Sequence, residues 1–196
     1  MSLWVFAAVA EDGPAAASPA AGSPAAGSPE RQPADAVKAA ERLNRQGRHD
    51  EALGATDAYL RAHPDDPAGR FLRGVILTDL GRDGEAVETF TGLTVDHPEM
   101  PQPYNNLGVL YAQSGQLQRA RESLELAVEA DPADPVALEN LGDVYVRLAV
   151  DHYARAAGID PASRGLRKKL TLARSLAAAE SALAGPAESP AAAAAR

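Results

Sequence analysis

The sequence predicts an all-α solenoid of stacked helix–turn–helix units, and three ladders of identical residues carry that prediction. Prolines recur every 34 residues, at Pro33, Pro67, Pro101 and Pro135. Glycines keep the same period, at Gly47, Gly81 and Gly115. Alanines keep it at Ala52, Ala86, Ala120 and Ala154. A fixed period of this length is typical of copies of one supersecondary unit that stack and share a core.

Each unit is predicted to hold two helices joined by a glycine turn. In residues 101–134 the apolar side chains recur at spacings of three and four on both sides of Ser114-Gly115, as on one face of a helix. Glycine tolerates the positive φ that often ends a helix, so Gly115 is predicted to separate two helices. Pro132 ends the second helix because proline lacks an N–H and disfavours helical geometry in the residue before it. Small residues at Gly108 and Ala120 would let the two helices approach closely.

These residues resemble the tetratricopeptide repeat. The matching positions are Tyr104, Leu107, Gly108, Tyr111, Gly115, Ala120, Leu124, Ala127 and Pro132. The resemblance extends from residue 33 to about residue 161, and it implies a short right-handed superhelical solenoid with a C-terminal capping helix. The predicted domain, residues 34–184, holds repeats 33–66, 67–100 and 101–134, a degenerate repeat 135–161 and a capping helix 162–184. The overall organisation is similar to that of small exported bacterial proteins of this family.

The fourth repeat departs from the pattern where its turn should be. Ala149 stands in place of the turn glycine, and Pro161 arrives five residues early. One apolar stripe continues through Leu138, Leu141, Tyr145, Leu148, His152 and Ala156. We therefore predict one long helix, with a hairpin around Val150-Asp151 as the alternative.

A further helix is predicted after the fourth repeat, with Asp160 as its N-cap and Pro161 at its first position. Its predicted apolar stripe consists of Leu166, Leu170, Ala173, Leu176 and Ala177. One apolar stripe opposite a polar face is what the capping helix of a solenoid requires.

The two ends of the chain differ in composition from the repeats. Residues 1–10 hold an apolar run that ends in Ala8-Val9-Ala10, the small-x-small pattern of a signal-peptidase site. We expect a remnant of a signal peptide and a periplasmic or secreted protein. The basic segment of a signal peptide is missing, so a cytoplasmic protein is the alternative. Residues 11–33 and 185–196 are rich in alanine, proline, glycine and serine, and are predicted to be a disordered spacer and tail.

Composition and spacing favour no enzyme, cofactor or metal. The chain has no cysteine, and His49 and His152 have no partner at metal-ligand spacing. His63 and His97 precede prolines at equivalent positions of consecutive repeats, which indicates a structural role at helix C-termini. The formal net charge of −8 argues against nucleic acid as a partner. No apolar run of 18 residues is present, so no membrane-spanning segment is expected.

The resemblance implies that the first helices of successive repeats line a concave groove. The predicted groove residues are Val37, Glu41, Asn44, Phe71, Val75, Thr78, Asn105, Val109, Ala112, Gln113, Glu139, Asp143 and Val146. Phe71 is the predicted anchor for a partner, with packing between repeats one and two as its alternative role. Asn105 and Asn106 are predicted to bond a partner's backbone. Some relatives bind the C-terminal carboxylate of chaperones through a basic clamp, but only Lys38 and Asn106 lie near such positions here.

The predicted function is a non-catalytic adaptor that holds a neutral to basic peptide or helix of another protein in the groove. The alternative is a structural or assembly factor. Such a factor would act by self-association or through the basic C-terminal helix at an anionic surface. The cations of that helix are Arg164, Arg167, Lys168, Lys169 and Arg174. The oligomeric state stays open.

Overall fold

The computed structural model describes residues 33–183, and the predicted all-α solenoid is confirmed. The eight helices of this part of the chain are α1 (Pro33–Arg45), α2 (His49–Ala62), α3 (Pro67–Asp79), α4 (Asp83–Asp96), α5 (Pro101–Gln113), α6 (Leu117–Ala130), α7 (Pro135–Ile159) and α8 (Arg164–Leu183). Residues 33–183 contain no strand. The predicted signal remnant and tail, and the spacer up to residue 32, lie outside the described residues.

Glycine turns join the two helices of each of the first three repeats. Gly47, Gly81 and Gly115 have φ values of 75°, 69° and 77°, in the left-handed region that side chains with a Cβ rarely adopt. In the third turn, the N–H of Gln116 donates to the carbonyl of Tyr111 (2.8 Å), which closes the end of α5. The chain therefore reverses within three residues in each repeat, and the helices of a repeat lie antiparallel.

Large side chains of the second helix fill the space above the first-helix glycines. A Cβ added to Gly74 would lie 2.5 Å from the ring of Phe90, and one added to Gly108 would clash with Leu124. Phe90, Leu124, Ala86 and Ala120 are fully buried. The two helices of a repeat thus touch through small residues on one helix and a large residue on the other.

Successive repeats pack mainly through the second helix of one repeat and the first helix of the next, and their first helices also meet side to side. α1 packs against α3 and α5 packs against α7, while no two second helices within residues 33–183 pack as closely. Hydrogen bonds join the first helices side to side. Asn44 donates to Asp79 across α1 and α3 (2.6 Å), and Asn140 donates to Asn105 across α7 and α5 (2.9 Å). The first helices therefore form the inner, concave side of the solenoid.

Aspartates and histidines mark the boundaries between repeats. Asp66 accepts the N–H of Gly69 (2.8 Å) and caps α3, and Asp134 accepts the N–H of Val136 (2.9 Å) and caps α7. His63 and His97 are the C-cap residues that directly follow α2 and α4, with nearly identical backbone angles. Their predicted place at helix C-termini is confirmed.

The fourth repeat has a single helix, as predicted. α7 runs without interruption from Pro135 to Ile159 through Ala149. The prediction of its buried face was wrong in part, because Leu138 and Tyr145 are about half exposed and His152 is exposed. These residues occupy the side that a second helix covers in the earlier repeats, and α7 has no such partner.

The start and the buried face of the last helix also differ from the prediction. Asp160 terminates α7, its N–H donating to Ala156 (3.0 Å), so it does not cap the next helix. α8 begins at Arg164, and the hydroxyl of Ser163 accepts the N–H of Leu166 (3.4 Å). Ala173 is buried against α7, but Leu176, which we placed in the buried stripe, is exposed.

Candidate functional site: the concave groove

The first helices place the predicted groove residues along the concave side of the solenoid, but they differ in exposure. The half-buried members are Glu41, Asn44, Phe71, Val75, Thr78, Asp143 and Val146. Gln113 and Glu139 are exposed. Val37, Asn105, Val109 and Ala112 are buried. The accessible surface of the groove therefore contains fewer of these residues than predicted.

The apolar part of the groove lies on α3. Phe71 and Val75 are one helical turn apart and both half-buried, and their inner sides contact the core. The Phe71 ring packs on Phe90 of the same repeat, with 5.6 Å between ring centroids. Leu72 and Ile76, on the opposite face, lie in the core as predicted. Phe71 thus serves both the core of repeat two and the surface of the groove.

The predicted hydrogen-bonding role of Asn105 and Asn106 is wrong. Both side chains are fully buried. Asn105 accepts a hydrogen bond from Asn140, and Asn106 donates to the carbonyl of Gln102 (2.9 Å). Because α4, α6 and α7 all pack against α5, its groove positions are covered by neighbouring helices. Asn105 joins α5 to α7 and Asn106 bonds within α5, so neither side chain lies at the surface that a ligand would meet, and Val109 is fully buried in the same helix.

The α1 end of the groove is organised by a short polar chain. His49 donates through Nδ1 to Asn44 Oδ1 (2.7 Å), and Asn44 in turn donates to Asp79 Oδ2 (2.6 Å). These two hydrogen bonds fix the orientation of the Asn44 side chain, which in turn holds His49 and Asp79 in place. Val37, the other predicted contact on α1, is buried in the core and is not available to a ligand.

The rim of the groove is acidic. Glu41 and Asp79 stand at the α1–α3 end, and Glu139 and Asp143 stand at the α7 end. Arg45 lies 3.9 Å from Glu41, an exposed ion pair that contributes little. A low-dielectric apolar floor with carboxylates around it favours apolar ligands that carry positive charge.

Two polar residues of this region were missed in the sequence. Asp79 and Asn140 each lie 35 residues after the asparagine that they bond, Asn44 and Asn105 respectively. A search for polar residues separated by 35 positions, one more than the repeat period, would have identified both contacts. First helices stack side to side at that offset.

No group of three or more His, Cys, Asp or Glu side chains that could hold a metal ion occurs among the described residues. Within the same part of the chain, no helix is long and apolar enough to cross a membrane.

Comparison with protein families identifies two matches, both described as tetratricopeptide repeat. One matches residues 37–101 and the other matches residues 101–134. Together they span half of the chain.

Solved structures with the same fold include the first TPR domain of human RPAP3 (18% identity, TM-score 0.57), which covers 61% of this chain and 94% of its own. The first TPR of Spaghetti (RPAP3) bound to the HSP90 peptide SRMEEVD is 19% identical, with 60% and 94% covered and a TM-score of 0.56. The Yersinia enterocolitica type III secretion chaperone SycD, in complex with a peptide of the translocator YopD, is 16% identical, with 58% and 92% covered and a TM-score of 0.54. At these identities the likeness shows the fold.

Proposed function

Because the chain belongs to the tetratricopeptide-repeat family, we propose that it is a non-catalytic adaptor that binds a peptide or a helix of another protein in its concave groove. The observation that carries the proposal is the half-buried apolar pair Phe71 and Val75, set among carboxylates on the concave side. Side chains of this kind act as anchors when a partner excludes water from them.

The solved neighbours support a groove of this class. SycD is in complex with a translocator peptide, and the first TPR of Spaghetti is bound to an HSP90 peptide. Both share this fold over most of their own length. That two proteins of this fold bind peptides supports a peptide-binding role for this chain.

The ligand chemistry follows from the charges on the rim. The HSP90 peptide SRMEEVD carries three carboxylate side chains. Glu41, Asp79, Glu139 and Asp143 would repel such a sequence here. We therefore propose a neutral to basic partner segment with one or two apolar side chains that reach Phe71 and Val75.

We also propose that the protein acts in the bacterial cell envelope, with Ala8-Val9-Ala10 as the supporting sequence pattern. Cleavage after Ala10 would remove Trp4, the single tryptophan of the chain. Protein purified from its native host should then show tyrosine emission without tryptophan emission. Recovery of intact residues 1–10 from that material would contradict the proposal.

The adaptor proposal is tested with pairs of synthetic amphipathic peptides that share apolar positions and carry either lysine or glutamate elsewhere. Fluorescence anisotropy should show binding of the lysine peptides only. The double variant Glu41→Lys/Glu139→Lys should weaken that binding by about tenfold, since each exposed charge contact contributes up to about 1 kcal/mol. Glu88→Lys, on the exposed side of α4, is the matched control and should bind like the wild type.

A second variant tests the apolar floor of the groove. Val75→Thr keeps the side-chain shape and replaces one methyl group with a hydroxyl, so it should weaken binding several-fold. Val95→Thr, at a 74% exposed position on α4, should not. Equal affinity for the lysine and glutamate peptides would contradict the adaptor proposal. Equal effects of the groove variants and their controls would also contradict it.

A further inference from the structure

The fourth repeat keeps the first-helix signature of a repeat without the helix that this signature normally meets. Leu138, Leu141, Gly142 and Tyr145 follow the spacing of Tyr104, Leu107, Gly108 and Tyr111 in repeat three. In repeat three that side of α5 is covered by α6. In repeat four the chain continues as α7, so no second helix folds back over it.

The exposed fractions of individual side chains show that this side of α7 is uncovered. Tyr111 is 7% exposed, whereas Tyr145, at the equivalent position, is 48% exposed. Leu138 is 46% exposed. A Cβ added to Gly142 would meet nothing within 4 Å, although Phe90 and Leu124 press on the equivalent glycines of α3 and α5. We name Leu138, Gly142 and Tyr145 the open face of α7.

α8 packs against α7 but leaves this face open. It contacts α7 through the side that contains Ala173, which is buried, and Leu166, Leu170 and Ala177, which are half-buried. A second apolar strip of α8 faces solvent. Leu172 and Leu176 are each 58% exposed, and Ala179 follows them on the same side. We name these three residues the outer strip of α8.

The outer strip has the spacing of the second helices that cover glycines elsewhere in the molecule. In α6 the buried contacts are Ala120, Leu124 and Ala127, at intervals of four and three. In α4 they are Ala86, Phe90 and Leu93, at the same intervals. The outer strip repeats these intervals with Leu172, Leu176 and Ala179. Leu172 is larger than its alanine counterparts, so the helices would separate more widely at that point.

The charges beside the two surfaces are opposite. Tyr145 donates to Glu125 on α6 (2.8 Å), and Glu129 follows one turn later on the same side of α6. Arg121 lies 3.5 Å from Glu125 and offsets part of this negative charge. Lys168 and Lys169 flank the outer strip, and Arg164 to Ala179 contains five cations and no carboxylate.

We propose that a second copy of this chain covers the open face of α7 with the outer strip of its α8. Leu176 of one protomer lies over Gly142 of the other, as Leu124 lies over Gly108 within repeat three. The lysines of α8 then approach the glutamates of α6, which fixes the register of the two helices.

A second copy fits better than the other occupants. The C-terminal residues 184–196 contain no large apolar side chain that could fill the space over Gly142. An anionic membrane would accept the outer strip of α8 but would leave the open face of α7 uncovered. Its lipid headgroups would also repel the glutamates of α6 beside that face. The pairing of α7 with α8 satisfies both surfaces together. The proposed self-association uses a surface other than the groove, so its tests do not depend on the adaptor function.

Mass in solution is the first test, on the full chain by light scattering and sedimentation velocity. The mass should rise with concentration from 20.4 kDa towards twice that value. Leu176→Glu and Leu138→Glu should each raise the dissociation constant at least tenfold and leave the melting temperature of the monomer nearly unchanged. Lys169→Glu should weaken association, and adding Glu129→Lys should restore it in part. Val95→Glu, at an exposed apolar position on α4, is the control and should associate normally.

Because the chain has no cysteine, single cysteines report the contact directly. Chains carrying Tyr145→Cys, mixed with chains carrying Leu176→Cys under mild oxidation, should form a mixed disulfide. Tyr145→Cys mixed with Val95→Cys should form it far more slowly.

Three results would overturn the proposal. The first is a single-chain mass up to millimolar concentration. The second is equal crosslinking to Leu176→Cys and Val95→Cys. The third is a monomer that sediments with phosphatidylglycerol vesicles and loses this binding in Leu176→Glu, which would assign α8 to an anionic surface.

Discussion

Repeats three and four begin with similar first helices and then diverge at one position. α5 ends at Gln113, and after Ser114 the φ of 77° at Gly115 turns the chain back into α6. At the equivalent point of repeat four stands Ala149, and the helix continues to Ile159. An alanine resists the left-handed conformation and is the best helix former, so both effects favour continuation. The two repeats thus differ in their turn residue at the point where one chain reverses and the other continues as a helix.

The comparison separates two kinds of information in a repeat sequence. Leu107, Gly108 and Tyr111 define which side of a helix can receive a partner, and they do so equally at Leu141, Gly142 and Tyr145. The turn decides whether the chain itself supplies that partner. Where it does not, the receiving side remains at the surface, as at Tyr145.

The largest expected effect comes from substituting the same glycine in both repeats. Gly108→Ala should lower the free energy of unfolding by about 2 kcal/mol, because the overpacking against Leu124 outweighs the roughly 1 kcal/mol gained in helix propensity. Gly142→Ala should raise it by about 0.5–1 kcal/mol, since nothing lies within 4 Å of the new methyl group. Urea unfolding at low protein concentration measures both.

Gly74→Ala, which meets Phe90 at 2.5 Å, serves as the second covered position and should behave like Gly108→Ala. If Gly142→Ala destabilised the monomer as much as Gly108→Ala does, a helix would have to cover that side of α7. The distinction drawn between the two repeats would then be wrong.

The sequence predicts the helices better than it predicts their environment. The 34-residue ladders locate the first three repeats, and the absence of a glycine at Ala149 predicts the long helix. Periodicity cannot tell which sides of a helix are covered, because burial depends on elements that are distant in sequence. Asn105 is polar and lies at a groove position of the family, yet α7 covers it and Asn140 bonds it. Leu138 and Tyr145 continue an apolar stripe, yet they are half exposed because the covering helix is missing.

An intermediate effect is expected from exchanging the residues at the turn. Gly115→Ala places a Cβ at a φ of 77° and should lower the free energy of unfolding by about 1–2 kcal/mol. Ala149→Gly places the turn residue in the middle of α7 and should lower it by about 1 kcal/mol without creating a hairpin, because α8 packs along α7 as a single helix. Helical content by circular dichroism should stay unchanged in Ala149→Gly. A gain in stability on Ala149→Gly would show that the fourth repeat prefers a hairpin.

The smallest expected effect concerns the charges at the turns that repeat four lacks. Arg82, just before α4, donates two hydrogen bonds of 2.7 Å to Glu85, and Arg48 pairs with Glu51 in the same way before α2. These hydrogen bonds hold the pKa of Glu85 and Glu51 below the ordinary value, with the charge of the arginine as a further cause. In repeat three Arg119 meets the neutral Gln116 instead, so that turn contains no such carboxylate.

A carboxyl group whose pKa is lowered by folding stabilises the native state fully above its unfolded pKa, about 4.3 for glutamate. That contribution is lost as the pH falls through the lowered folded value. The melting temperature of the wild type should therefore fall more between about pH 7 and about pH 3 than that of Glu85→Gln. The difference should be small and should shrink with added salt, because these groups are exposed to solvent. Glu88→Gln removes an exposed carboxylate of the same helix and should keep the wild-type pH dependence. If Glu85→Gln and Glu88→Gln followed the same curve, the arginine pairs at the turns would contribute nothing to the stability of the first two repeats.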